Sequence, residues 1–333
     1  MKTTAVLGTG SWGTAIAVHL ARVGHEVRLW ARDPEFVREV QAAGANDRYL
    51  PGVPIPPEIV LTDSLETAVT RASFVVVAVP SHGLRAVMSR ATPFLASGTI
   101  VVSASKGIEV DSLQRMSQVI AAETRACCRT VVLSGPSFAA EVARELPTAV
   151  LAASSDRGAA AAVQEHFRGR GLRLYVNDDV TGVEIGGALK NVIAIAAGCV
   201  EGLGLGHNAL AALITRGLAE ISRLAIAEGG RRDTLAGLSG LGDLVLTCTG
   251  DLSRNRHVGI ELGRGRRLDA ILSGMRMVAE GVRTTRAALA LGVRHGIELP
   301  IAAQMQEVLD GRSSPLSAVE ALMLRRQRAE VDG

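Results

Sequence analysis

Eight short apolar, β-branched runs fall within the first 177 residues of this 333-residue chain, and none follows. They are TTAVLG, EVRLW, EIVLT, FVVVAVP, TIVVSAS, TVVLSG, TAVLAAS and LRLYV, separated by stretches of helical character. Strands so continuously apolar are covered on both faces, so the pattern predicts a mainly parallel sheet between layers of helices. A proline-rich stretch at 50–57 interrupts it as an ordered loop. Beyond Asn177 the apolar residues recur at helical spacing over 181–203, 208–228, 256–272 and 283–296. The chain therefore reads as α/β, with a sheet domain over 1–180 and an all-helical domain over 181–333.

The first strand runs into Gly8-Thr9-Gly10-Ser11-Trp12-Gly13, and a helix opens there. Glycines in this context permit a tight turn, close approach of a pyrophosphate to the backbone, and close packing of helix on strand. The helix N-terminus then offers N–H groups to the phosphates. The sheet domain is thus expected to be of Rossmann type and to bind a dinucleotide. After the second strand come Arg32 and Asp33. Arg32 suits the 2′-phosphate of NADPH, which is the expected preference over NADH, and Asp33 is a competing candidate for a ribose hydroxyl.

Lysine is scarce: Lys2, Lys106 and Lys190 stand against thirty-three arginines. Arginine stays protonated, whereas a desolvated lysine can exchange its proton near neutral pH. Lys190 lies in the apolar stretch GGALKNVIAIAAG, which predicts a depressed pKa and a general acid/base role. The alternative is a stem that snorkels to water. Lys106 follows the fifth run, at an edge where open α/β sheets bind ligands. Two more loops share that edge, Val79-Pro80-Ser81 and GPSFAAEVA at 135–143, where the Ser137 hydroxyl is expected to cap a helix, the alternative being donation to substrate. In the second domain GLSGLGDLVLT carries Asp243, either a helix cap or a site carboxylate, with Thr247 one turn on. Ser253-Arg254-Asn255 concentrates donors suited to a phosphate dianion, Arg254 by its fork.

The net charge of +3 is dispersed and gives no nucleic-acid surface. The basic run RRQR at 325–328 reads as a solvated helix end. Four cysteines show neither metal-ligand nor disulfide-framework spacing, so reduced thiols and no metal are expected. With no signal-peptide layout and no apolar run judged long enough to span a bilayer, a cytoplasmic protein without membrane insertion is expected.

Taken in order, GTGSWGTA, NDRYLPGV, SASKGIE, GPSFAAEV, GALKNVIAIAAG, GLSGLGDLVLTC, SRNRHVG and VAEGV resemble the bacterial-type NAD(P)-dependent glycerol-3-phosphate dehydrogenases over nearly the whole chain. The resemblance implies reversible reduction of dihydroxyacetone phosphate to sn-glycerol 3-phosphate, for phospholipid synthesis. It implies cofactor contacts from Gly8, Gly10, Ser11, Trp12, Gly13, Arg32, Lys106, Ala139, Arg254, Val278 and Glu280. It places substrate on Lys106, Gly135, Ser137, Lys190, Asp243, Ser253, Arg254 and Asn255, with Lys190 as catalytic base and Lys106 and Asp243 orienting it. A homodimer acting on a small molecule is expected. The chain departs from many relatives at Ser105, Asp33 and Leu210. Related β-hydroxyacid and 6-phosphogluconate dehydrogenases place an asparagine four residues after the lysine, where this chain has Ala194. A non-catalytic NADP sensor would have no need of a buried lysine facing a phosphate site.

Overall fold

Each apolar run becomes a strand: β1 (Thr3–Leu7), β2 (Glu26–Trp30), β3 (Val60–Thr62), β4 (Phe74–Val77), β5 (Ile100–Ser103), β6 (Arg129–Ser134), β7 (Thr148–Ala153) and β8 (Leu172–Asn177). The structure is a computed structural model describing residues 2–275 and 278–326, so the end of the RRQR run lies outside the described residues. The strands form one sheet in the order β3-β2-β1-β4-β5-β6-β7-β8. From β3 to β6 all neighbours are parallel; β7 turns antiparallel to β6, and β8 is parallel to β7. The reversal follows from the link between β6 and β7. Its only helix, Ala139–Ala143, has five residues, too short to carry the chain back across the sheet.

Burial on both faces explains the unbroken apolar runs, for no residue of β4 or β5 is exposed. Alternate side chains enter different cores. Val6, Val76 and Val102 join Ile16 of the helix Ser11–Arg22, whereas Leu7, Val77 and Val101 pack with Leu84 and Ile120 on the other face. Since β1 has β2 on one side and β4 on the other, the chain changes winding direction between β1 and β4. Ligands of doubly wound sheets bind at the carboxyl ends beside such a switch.

The second half is built around the helix Val180–Gly202, capped by Asp179, whose carboxylate accepts from Gly182 N at 2.8 Å. By length and mean hydropathy (1.5) this helix could cross a bilayer, contrary to the expectation from the sequence, yet its apolar window is wholly buried inside the protein. The helices Gly206–Ala227, Asp243–Thr249, Arg254–Gly263, Glu280–His295 and Pro300–Leu309 cover it.

Glycine makes the tightest of these contacts possible. A Cβ on Gly198 would lie 2.0 Å from Arg256 O, and one on Gly202 2.3 Å from Ile260 O. Reciprocally, a Cβ on Gly259 would lie 1.9 Å from Ile195 O, and one on Gly263 2.8 Å from Cys199 O. Two glycine pairs, each four residues apart, thus face each other and bring the backbones together. The expected helix over 256–272 is two helices, Arg254–Gly263 and Leu268–Ser273. Gly265, at φ +86°, turns the chain between them. The helices Pro300–Leu309 and Pro315–Met323 were not foreseen, although each carries proline in its first turn, a favoured start.

Gly259→Ala should show what the crossing is worth. Its methyl has no free volume, so stability should fall by about 3 kcal/mol or more, the upper range for overpacking. Denaturant unfolding would measure it; a loss below about 1 kcal/mol would mean that the helices separate cheaply.

Candidate active site

At the end of β1 the glycine loop has the form its spacing predicts. Gly8 sits at φ +116°, and a Cβ there would come 2.7 Å from Ala78 O. A Cβ on Gly13 would lie 1.9 Å from Gly8 O, so only glycine lets the helix Ser11–Arg22 start this close to the strand. A Cβ on Gly10 would meet nothing within 4 Å, which leaves open the space beside the helix N-terminus. The Trp12 indole Nε1 is buried without a hydrogen-bond partner among the described residues. An open cradle, helix-end donors and an orphaned donor fit a dinucleotide pyrophosphate. The loop is held from below by Asn46, which sequence reasoning passed over. Its fully buried amide donates to Thr9 O and Thr14 Oγ1, both at 2.8 Å.

Arg32 is exposed beyond the end of β2. Asp33 caps the helix Pro34–Ala43, accepting from Glu35 N at 3.0 Å. The two residues therefore divide: one carboxylate oxygen serves a helix end, while the guanidinium faces solvent.

Lys106, Lys190 and Asp243 meet at one point. Asp243, 1% exposed, accepts from Lys106 Nζ at 2.6 Å through Oδ2 and from Lys190 Nζ at 2.5 Å through Oδ1. Lys106 also donates to Gly135 O at 2.9 Å, and Lys190 to Thr247 Oγ1 at 2.9 Å. The Thr247 hydroxyl in turn donates to Asp243 O at 2.6 Å. Lys190 does not snorkel, for it is 6% exposed. Burial pulls its ammonium down to about 7, the Asp243 carboxylate opposing that shift and Lys106 adding to it. Asp243 stands in the first turn of its helix, after the wide turn Leu238–Gly242, and spends both oxygens on the lysines rather than on capping.

Beside this cluster lies the N-terminus of the helix Arg254–Gly263. Ser253 caps it, accepting from Arg256 N at 3.2 Å. Asn255 is buried; its Nδ2 donates to Asn191 Oδ1 at 2.9 Å and its Oδ1 accepts from Gly281 N at 2.9 Å. Among the described residues nothing hydrogen-bonds the Arg254 guanidinium, and the residue is exposed. Desolvation by the protein around it lowers its pKa, with the Glu280 carboxylate opposing the shift. Glu280 accepts from Ser81 N and Ser81 Oγ, across the boundary between the two halves.

Ser137 does not cap a helix. Its hydroxyl donates back to Gly135 O at 2.9 Å, while Phe138 occupies the cap position of the helix Ala139–Ala143. Val278 leads into the helix Glu280–His295. Sequence reasoning missed Glu184, which accepts from Arg115 Nη1 at 2.7 Å and from Ser117 N at 2.8 Å. A lone acid near the start of an apolar helix was the available signal. Among the described residues no group of His, Cys, Asp and Glu could hold a metal ion.

The model for the N-terminus of NAD-dependent glycerol-3-phosphate dehydrogenase matches residues 3–160, and the model for its C-terminus matches residues 179–320. A glycerol-3-phosphate dehydrogenase [NAD(P)+] of Koribacter versatilis is 52% identical over 335 residues, covering 99% of each chain. That of Geobacter sulfurreducens is 53% identical over 329 residues, covering 98% of each. Among solved structures, the glycerol-3-phosphate dehydrogenase of Coxiella burnetii superposes with a TM-score of 0.94 at 41% identity, covering 97% of this chain and 99% of that one.

With three lysines in the chain, ¹³C-lysine labelling makes the Lys190 titration directly readable by NMR. One signal should titrate near pH 7. Because the Asp243 carboxylate favours the ammonium form, Asp243→Asn should move that midpoint down by about one unit or more. A midpoint that stays or rises would show that Asp243 does not set the charge on Lys190.

Proposed function

The chain belongs to the NAD-dependent glycerol-3-phosphate dehydrogenase family, and on that premise we propose that it interconverts dihydroxyacetone phosphate and sn-glycerol 3-phosphate with Lys190 as general acid/base. The observation that carries the proposal is the buried Lys190 ammonium, brought to about 7 and held by Asp243 and Thr247. A group with that pKa gives and takes a proton at neutral pH with little bias.

In this reading the substrate phosphate lies against Arg254, Asn255 and the capped helix end at Ser253, where an accessible guanidinium and helix N–H groups favour a dianion. Gly135, Ser137 and Lys106 line the opposite wall. The cofactor, when bound, supplies or accepts the hydride at C2. Lys190 as ammonium gives its proton to the C2 oxygen as negative charge develops there; in reverse, as neutral amine, it takes the hydroxyl proton. Asp243 fixes the Lys190 amine and joins it to Lys106, so that donor and substrate are oriented before reaction. Gly8, Gly10, Ser11, Trp12 and Gly13 would hold the pyrophosphate end, Arg32 the adenosine end, and Ala139, Arg254, Val278 and Glu280 the part nearer the cleft.

NADPH preference belongs to the same proposal. Its support is that Asp33 is engaged as a helix cap while the neighbouring Arg32 remains exposed. A role in providing the glycerol phosphate backbone of phospholipids, and a homodimeric state, are proposed with it. A cytoplasmic setting is supported by the four free cysteines.

Two measurements test this reading. Unphosphorylated dihydroxyacetone forfeits the charge-assisted contacts to Arg254, so its kcat/KM should fall below that of dihydroxyacetone phosphate by tenfold to a hundredfold or more, or about 1.5–3 kcal/mol. Comparable values for the two ketones would remove the phosphate-site assignment.

Arg32→Ala should raise KM for NADPH at least about tenfold while leaving KM for NADH nearly unchanged, as loss of one charge-assisted contact predicts. Equal effects on both cofactors would show that Arg32 does not read the 2′-phosphate.

A further inference from the structure

Two serines of the sheet domain are gripped in the same way by two glutamates of the helical domain. Ser81 opens the helix Ser81–Ala91, and Ser117 lies in the first turn of the helix Met116–Glu123. Each directs its N–H and its hydroxyl at the two oxygens of one carboxylate. Ser81 reaches Glu280 at 3.0 and 2.6 Å; Ser117 reaches Glu184 at 2.8 and 2.5 Å. An orphan N–H at a helix start is thereby satisfied from the other domain, where the helix dipole also favours a carboxylate. The two grips lie on either side of the loop that carries Lys106 in the sequence.

They differ in what they hold. Glu184 is buried and also paired to Arg115, which makes that grip a structural rivet. Glu280 accepts hydrogen bonds from Ser81 alone among the described residues. Ser81 itself is 4% exposed, at the carboxyl end of the sheet just past β4, beside the switch point. No side chain of its own segment caps the helix Ser81–Ala91, where Pro80 holds the cap position. A Cβ on Gly107 would come 2.6 Å from Ser81 Cβ, so the glycine after Lys106 keeps Ser81 in place to meet Glu280. The next residue after Glu280, Gly281, donates its N–H to Asn255, which donates to Asn191. The Ser81 contact therefore holds the first residue of the helix Glu280–His295, whose second residue bonds Asn255 beside Arg254.

We propose that Ser81 is a positioning residue, acting through Glu280: it aims the Glu280 carboxylate at the cofactor and touches neither substrate nor reacting atoms. The inference rests on the reading of Glu280 as a cofactor contact. Because such a contact is made alike before and during hydride transfer, losing it raises KM for the cofactor and leaves kcat in place.

Ser81→Ala, Glu280→Gln and the double variant, made in the full chain, test this. NADPH affinity is read by fluorescence titration without substrate, and kcat and both KM values by turnover. Ser81→Ala should weaken NADPH binding roughly tenfold, the loss of one hydrogen bond to a charged group. Its kcat and KM for dihydroxyacetone phosphate should stay within about twofold, with the thermal midpoint nearly unchanged. Adding Ser81→Ala to Glu280→Gln should bring no further loss, since Ser81 then has no carboxylate to aim. Unchanged NADPH affinity in Ser81→Ala overturns the proposal, as do losses that multiply in the double variant or a fall in kcat as large as that in affinity. Should Ser81→Ala fail to fold, Glu280→Gln alone decides, and undiminished NADPH affinity there overturns the proposal. A parent protein that binds NADPH but leaves dihydroxyacetone phosphate unreduced would instead refute the functional reading, and the titrations would still score Ser81.

Discussion

One buried carboxylate, Asp243, stands between two ammonium groups carried by different halves of the chain. Without it, Lys106 and Lys190 would face each other as like charges in a place from which water is largely removed. With it, the cluster can carry a single net positive charge, and the accessible Arg254 adds another at the neighbouring helix end. That sum suits a small phosphorylated ligand. Buried ion pairs seldom repay their desolvation in stability. The arrangement is better understood as the means by which a lysine is kept both protonatable and close to neutrality at the seam of two domains.

The seam is placed by packing that has little to do with charge. Nine aromatic residues in 333 leave alanine, glycine and branched aliphatics to fill the interior. Small residues allow backbones to approach, and the facing glycines of Val180–Gly202 and Arg254–Gly263 do so to the limit. The approach carries Asn255 to within a hydrogen bond of Asn191, next in sequence to Lys190. A side chain at any of those four glycines would strike the facing backbone and push the phosphate-facing helix end away from the lysine. Core packing and site geometry are here one constraint.

How much of this was legible in the sequence depended on range. The strands were readable because burial on both faces leaves no polar alternation to confuse them. The glycine loop was readable because turn, strand and helix are contiguous. Lys190 announced itself by scarcity and by apolar neighbours. Elements set by distant partners were not readable. The pairing of Glu184 with Ser117 and of Glu280 with Ser81 joins positions 67 and 199 residues apart, and neither end has a local signature. Ser137 was misjudged because the cap position falls one residue later, on Phe138, while the Ser137 hydroxyl donates to Gly135 O. The single helix expected over 256–272 is broken by Gly265, whose positive φ no periodicity reveals.

The helix Val180–Gly202 has a consequence for biosynthesis. It leaves the ribosome before the segments that will cover it, the last of which ends near Leu309. During that interval a stretch apolar enough for a bilayer stands uncovered, at a stage when the sheet domain behind it can already fold. Lys190 sits in the middle of that stretch, where a lysine disfavours membrane insertion by about 2.5–3.5 kcal/mol. Glu184 adds a second charge nearer its start. The ammonium at the centre of the finished site thus also bears on the fate of the nascent chain, steering its most apolar segment away from lipid until the rest of the helical domain arrives.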